Sequence, residues 1–336
     1  MTAAVAGSGT GRRGTVGTPA PRVGGIERVT GAQQFLADVR LEGMLHVKLV
    51  TLDCARARII SVDTSGALEV PGVACVVTAQ DLPHPMPRFG PAFADRPVLA
   101  VGETKYHGEA VAAVAGTTRD AAEAGAALIR VEHEVLPSVL TVAAALGPLA
   151  PLVQEPALRP GDPLAGTNIL RERSYGWGDI SAVRPDLVLE NDYTFPMVTH
   201  FAIEPHGAIA AADGDGLTLW SPVQHPYLLQ RMMADLFQLP LTKVRVFAPD
   251  PGGGFGGKQN PKFEPLLAFL AMRTGRPCRL VLTLEETFQA VRRTAAQVRV
   301  PRRSWMAGRY DLVLCPACVC RELSPLSLCG WRLRTV

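Results

Sequence analysis

Long apolar runs are missing from this chain, and with them any transmembrane helix: no uninterrupted stretch approaches the roughly 18–20 residues that a bilayer crossing needs. Charge of one sign is scarce too. The net charge is only +3, its surplus sits at the two ends, and the clustered basic face of a nucleic-acid binder is absent. Residues 1–25 hold no acid, and Arg12-Arg13 is followed by no apolar h-region, which argues against a twin-arginine export signal. The composition of 1–23 is that of a disordered leader, and a cytoplasmic location is expected. The 32 Gly and 28 Pro follow no period, so collagen-like and wholly disordered readings fail. The body lacks a cysteine or histidine cluster. Cys54, Cys75 and Cys278 lie singly in apolar segments, as buried reduced thiols do, and no cysteine pattern for an iron–sulfur cluster occurs.

What is present is enough for about two domains of α/β or α+β type. Over 24–145, apolar patterning predicts strands at 44–50, 57–63, 73–78, 110–115 and 128–135. A brief helix at 65–70 is stopped by Pro71-Gly72, and a longer one runs from a Thr118 cap to about residue 127. Residues 146–170, rich in Pro, Gly and Leu without a period, read as an extended linker. A second unit over 171–298 has a strand pair at 201–212 and 217–221, joined by the turn Asp213-Gly214-Asp215-Gly216. A helix from Pro226 to 238 and a strand at 242–248 follow. Pro261 opens another helix, with Phe263, Leu266, Leu267, Leu270 and Ala271 on one face and Gly275 as its stop. A buried strand at 278–282 leads into the capping box Thr283-Leu284-Glu285-Glu286. The two units are expected to keep separate sheets.

The most informative segment is Gly252-Gly253-Gly254-Phe255-Gly256-Gly257-Lys258, which matches two nucleotide-binding patterns at once. A Walker loop needs Ser or Thr after the lysine to hold magnesium, and this sequence has Gln259. A dinucleotide loop needs its helix to start within the glycines and an acid about 20 positions later; Pro261 comes late and Glu285 lies too far along. A bare turn would not require so many glycines, each with its entropic cost. Their physical use is to bring backbone N–H groups against a flat or anionic ligand that a Cβ would push away.

The loop resembles the GGGFGGK loop of the xanthine dehydrogenase/aldehyde oxidase family of molybdenum hydroxylases. The likeness continues in His200-Phe201-Ala202-Ile203-Glu204-Pro205-His206-Gly207-Ala208 and in Trp220-Ser221-Pro222-Val223-Gln224-His225-Pro226. It also includes Gly275-Arg276-Pro277 and, in the first unit, Pro71-Gly72-Val73 and the stretch 98–103. This colinear set covers about residues 24–300. It implies an α/β hammerhead domain over 24–145, followed by the first part of a molybdopterin-binding domain over 171–298.

By that resemblance, a molybdenum ion is held through a pyranopterin rather than by protein ligands, so no metal-binding side chain is expected. Gln224 would donate its amide to an oxo ligand of the metal, with the loop expected within about 10 Å of it. Gly254, Phe255 and Gly256 would lie against the cofactor, and Phe255 would also wall the substrate side. Gln259 stands where purine-oxidising members place a glutamate. Its neutral amide points towards an aldehyde, carbon monoxide or another N-heterocycle. Glu204 and His206 invite an acid–base role, but a Glu-Pro-His run inside an apolar strand reads better as a satisfied structural cluster.

The family's base glutamate, in a GEP-type motif far along a subunit about twice this long, has no counterpart here; Glu204-Pro205 and Glu264-Pro265 lack its context. FAD and 2Fe–2S clusters are expected on partner subunits. From about 299 the text becomes rich in Arg, Cys and Trp, with Cys315, Cys318, Cys320 and Cys329 but no second ligand pair for zinc. A shifted reading frame explains this tail (299–336), and the chain alone is expected to show no turnover. Two rival readings stand beside an oxidoreductase subunit: a non-catalytic docking fragment that binds partner subunits, and a nucleotide-binding enzyme using the glycine loop.

Overall fold

A computed structural model describes residues 19, 21–91, 93–174, 187–291, 296–305, 317–319 and 332–335. At its centre lies a seven-stranded mixed sheet. In spatial order its strands are Val244–Phe247, Gly216–Trp220, Gly207–Asp213, Cys278–Val281, Leu45–Thr51, Ala110–Gly116 and Val73–Thr78. The Ala110–Gly116 strand is buried throughout, because it lies between two strands and under the helix Arg119–Leu128. Its sequence of Ala, Val and Gly keeps side chains short enough for that helix to approach. The helix starts where expected, with the Thr118 hydroxyl accepting the Ala121 N–H at 3.1 Å.

The expectation of two units with separate sheets is corrected. Leu45 pairs with Cys278 and His46 with Arg279 in parallel, and the Leu45 N–H donates to the Pro277 carbonyl at 2.7 Å. Strands from 24–145 and from 171–298 therefore form one continuous sheet over one core, in which Leu45, Val77 and Leu99 pack with Leu219, Met233, Leu267 and Leu280. Left apart, Leu45–Thr51 and Cys278–Val281 would each bury an unpaired row of backbone groups, which pairing removes.

The linker is corrected as well. Residues 146–170 are folded back on themselves around the buried Arg159. Its guanidinium pairs with Asp162 at 2.6 Å and donates to the carbonyls of Leu164, Ile169 and Leu170. Five N–H donors on one planar group suit such a knot of carbonyls.

The described residues form three smaller sheets besides, one of them the pair Arg88–Phe89 and Arg96–Pro97. Ala57–Asp63 lies between Glu103–Thr104 and Arg130–Val135. A five-stranded sheet takes Leu187–Phe195, Ala296–Trp305, Ala317–Val319, Arg332–Thr335 and Arg171–Ser174 in that order. The leader before residue 19, and Cys315, Cys320 and Cys329, lie outside the described residues. Among the described residues no helix is long and apolar enough to cross a membrane.

Candidate functional site

The strand expected at 201–212 begins only at Gly207. Ahead of it the chain leaves extended geometry: Phe201 has φ 49°, and the Glu204 N–H donates to the Gly252 carbonyl at 3.1 Å. Residues 200–206 thus turn against the glycine loop instead of joining the sheet. The helix expected from Pro261 begins at Glu264. The Glu264 carboxylate accepts the N–H groups of Lys262 (2.7 Å) and Phe263 (3.0 Å), donors a helix start would otherwise leave unpaired. Its other oxygen accepts from the Ser221 hydroxyl at 2.8 Å, tying this helix to the 221–225 segment.

The loop 252–258 follows the Val244–Phe247 strand and lies directly beside Gln224, as expected. The Gln224 N–H donates to the Lys258 carbonyl at 2.7 Å, and the Lys258 N–H donates to Gln224 Oε1 at 3.3 Å. With Oε1 engaged, the Gln224 amide is turned so that its Nε2 donors meet no acceptor among the described residues, on a residue that is itself exposed. Gly254 lets the Gln224 amide lie against the loop: a Cβ on it would stand 2.8 Å from Gln224 Cδ and push that side chain aside. Gly256 serves the opposite purpose. At φ 88° it keeps its outer side open, with nothing within 4 Å of a Cβ position. Phe255, at φ 51° and 72% exposed, projects from the same stretch. Among the described residues the N–H groups of Gly253, Gly254, Phe255 and Gly256 meet no acceptor.

The glycine loop faces two different surroundings. Behind the loop is a cavity of about 20 Å³ lined by His206, Ser221, Lys258, Lys262 and Glu264 among others, room for about one water. The outer face, with Phe255, Phe201 and Ile203, is open surface. Gln259 follows Lys258 and is half-buried.

Glu204 and His206 have structural partners. Glu204 accepts from Lys258 Nζ at 2.7 Å, the Gly252 N–H at 2.8 Å and the Leu36 N–H at 3.3 Å. His206 Nε2 lies 3.1 Å from the Gly257 carbonyl and so donates to it. Burial, reinforced by the nearby Lys262 and Lys258 ammoniums, pushes the His206 imidazole down to about 3, so the ring is neutral at ordinary pH. Its Nδ1 then carries a lone pair that has no partner.

The sequence reading passed over Lys258. It is 3% exposed and points inward to Glu204, so it is not available to a nucleotide phosphate, and the Walker reading loses its lysine. The signal available beforehand was the charge pair itself, a lone acid and a lone lysine in two otherwise apolar motifs.

The site is thus an open glycine loop with unbonded amides beside the Gln224 amide, at the end of the Val244–Phe247 strand of a mixed sheet. Comparison with known families makes this specific. Residues 30–137 match the aldehyde oxidase and xanthine dehydrogenase a/b hammerhead domain, and residues 164–300 match the molybdopterin cofactor-binding domain. The chain is 31% identical over 269 residues to the nicotinate dehydrogenase large molybdopterin subunit of Eubacterium barkeri, covering 79% of this chain and 61% of that one. It is 30% identical over 285 residues to the xanthine dehydrogenase molybdenum-binding subunit of Escherichia coli O157:H7, covering 81% and 36%. The structure of quinoline 2-oxidoreductase from Pseudomonas putida 86 superposes with a TM-score of 0.80 at 28% identity, over 90% of this chain and 39% of that one. The chain belongs to the xanthine dehydrogenase/aldehyde oxidase family and carries its hammerhead and molybdopterin-binding domains. It spans between about a third and three-fifths of the length of these relatives.

Proposed function

We propose that this chain is the cofactor-facing part of a molybdenum hydroxylase subunit acting on an aldehyde or an N-heterocycle. The observation that carries the reading is the Gln224 amide, fixed through Oε1 by the Lys258 N–H, with Nε2 free beside open loop amides. These groups fit molybdopterin, whose phosphate and heterocycle need donors and whose bulk needs a surface without Cβ atoms. When bound, the cofactor supplies the redox centre at which oxygen from water is transferred.

Gln224 would direct a neutral donor at the metal's oxo group, and the N–H groups of Gly254, Phe255 and Gly256 would hold the cofactor in place. Phe255 would present an apolar wall to a planar substrate. Gln259 offers a neutral amide where a charged ring contact would need a carboxylate, which favours substrates other than purines. Two relatives named for nicotinate and for quinoline support an N-heterocycle. Subunits carrying FAD and 2Fe–2S clusters would take the electrons. Free thiols at Cys54, Cys75 and Cys278 suit a reducing, cytoplasmic setting.

The test is production of the chain with its neighbouring subunits in a host that makes molybdopterin. Molybdenum and released-pterin fluorescence are then measured, together with dye reduction driven by aldehydes and N-heterocycles. Bound cofactor in the native protein, and turnover lowered roughly 10–100-fold by Gln224→Ala, are expected. A native complex without molybdenum or pterin would overturn the reading.

A further inference from the structure

We propose that Glu204 and Lys258 are positioning residues, a buried strut that fixes both ends of the 252–258 loop and through it the aim of Gln224; this rests on the cofactor reading above. Glu204 Oε2 receives the N–H of Gly252, the first residue of the loop, at 2.8 Å. The same oxygen receives Nζ of Lys258, the last residue of the loop, at 2.7 Å. One carboxylate oxygen therefore closes the loop. Lys258 Nζ also donates to the Glu204 carbonyl at 3.0 Å, and Glu204 Oε1 accepts the Leu36 N–H, so the strut is anchored in a third segment. From Lys258 the constraint passes by backbone alone: its carbonyl and N–H hold the Gln224 N–H and Oε1.

Stability alone is a poor reason for such a pair. Its side chains are 3% and 10% exposed, and apolar residues of similar volume in such a place often serve the fold as well. What apolar residues cannot supply is a directional tie between a backbone N–H at one end of a glycine-rich loop and a side chain at the other. Glycines give the loop many accessible shapes, so a fixed cradle needs restraint from outside it. A lysine that in a phosphate-binding loop would reach outward to its ligand is used here as an inward peg.

The experiment uses the full chain with both charges replaced, Glu204→Met with Lys258→Met, so that no unpaired charge is left buried. Three quantities are read: melting temperature, hydrogen exchange of the two loop amides bonded within the site, Gly257 (to the Gly254 carbonyl) and Lys258 (to Gln224 Oε1), and pterin bound after production in a molybdopterin-making host. The expected result is a melting temperature within a few degrees of native. Loop exchange should rise at least tenfold and pterin content fall at least tenfold. Unchanged loop exchange would overturn the proposal, and so would native pterin content in a variant whose loop exchanges faster. If the double variant does not fold, Glu204→Gln is read in the same way, with smaller changes in the same directions. Absence of pterin from the native chain would sink the functional reading instead; loop exchange in the variants then still decides whether the pair holds the loop.

Discussion

The Cδ atom of Gln224 lies 2.8 Å from where a Cβ on Gly254 would stand, so the Gln224 amide keeps this position only while Gly254 has no side chain. Real Cβ atoms do not tolerate that distance, and the amide is held on its far side by the Lys258 backbone. Gly254→Ala should therefore displace Gln224 or the loop. Only a small stability cost is expected, because the atoms met are the far end of an exposed side chain, together with a marked loss of bound molybdenum as that amide is moved aside. Unfolding midpoints in urea and metal content by mass spectrometry check this; native values of both would show that the contact is soft.

The shared sheet makes a prediction about cooperativity. Leu45 is fully buried at the seam where Leu45–Thr51 meets Cys278–Val281, and its core neighbours come from both sequence halves. Residues 24–145 and 171–291 should unfold in one transition. Leu45→Ala should lower its midpoint by the equivalent of about 2–5 kcal/mol without splitting it. Two transitions, followed separately by hydrogen exchange in the two halves, would contradict this.

His206 gives a pH dependence of definite sign. Its folded pKa is pushed down to about 3, while an unfolded histidine titrates near 6.5. Between those values the unfolded chain binds a proton that the folded chain does not, so stability falls as pH drops through this window and levels off below it. The slope from this one group is at most about 1.4 kcal/mol per pH unit. His206→Gln, which cannot titrate, should shrink the difference between urea midpoints at pH 7 and pH 4. An unchanged difference would mean that the imidazole is not buried neutral.

Much of the local structure was legible in the sequence. The strands Ala57–Asp63 and Val73–Thr78, the Thr118 and Thr283 caps, and the stop at Gly275 (φ 62°) follow from patterning and from hydroxyl or glycine chemistry acting over a few residues. Of the site, the loop itself, Gln224 and their neighbourhood were legible through motif resemblance. Lys258 was not, because nothing local distinguishes a lysine that reaches out from one that folds back. The late helix start at Glu264 was hidden too. It depends on a carboxylate capturing the N–H groups of Lys262 and Phe263, and the proline of the first turn is Pro265 rather than Pro261.

By itself the sequence determined most of the strands and helices of the first unit, the Thr118 and Thr283 caps, and the ordered set of motifs that places the chain in its family, since each of these depends on residues near one another in the chain. Only the tertiary structure decided that Leu45 pairs with Cys278 to join the two halves, that Arg159 knots the linker, and that Glu204 closes the loop onto Lys258. The physical reason is common to all three. A buried backbone row, a guanidinium or an ammonium must find its partner wherever the fold brings one, and sequence distance sets no limit on where that is.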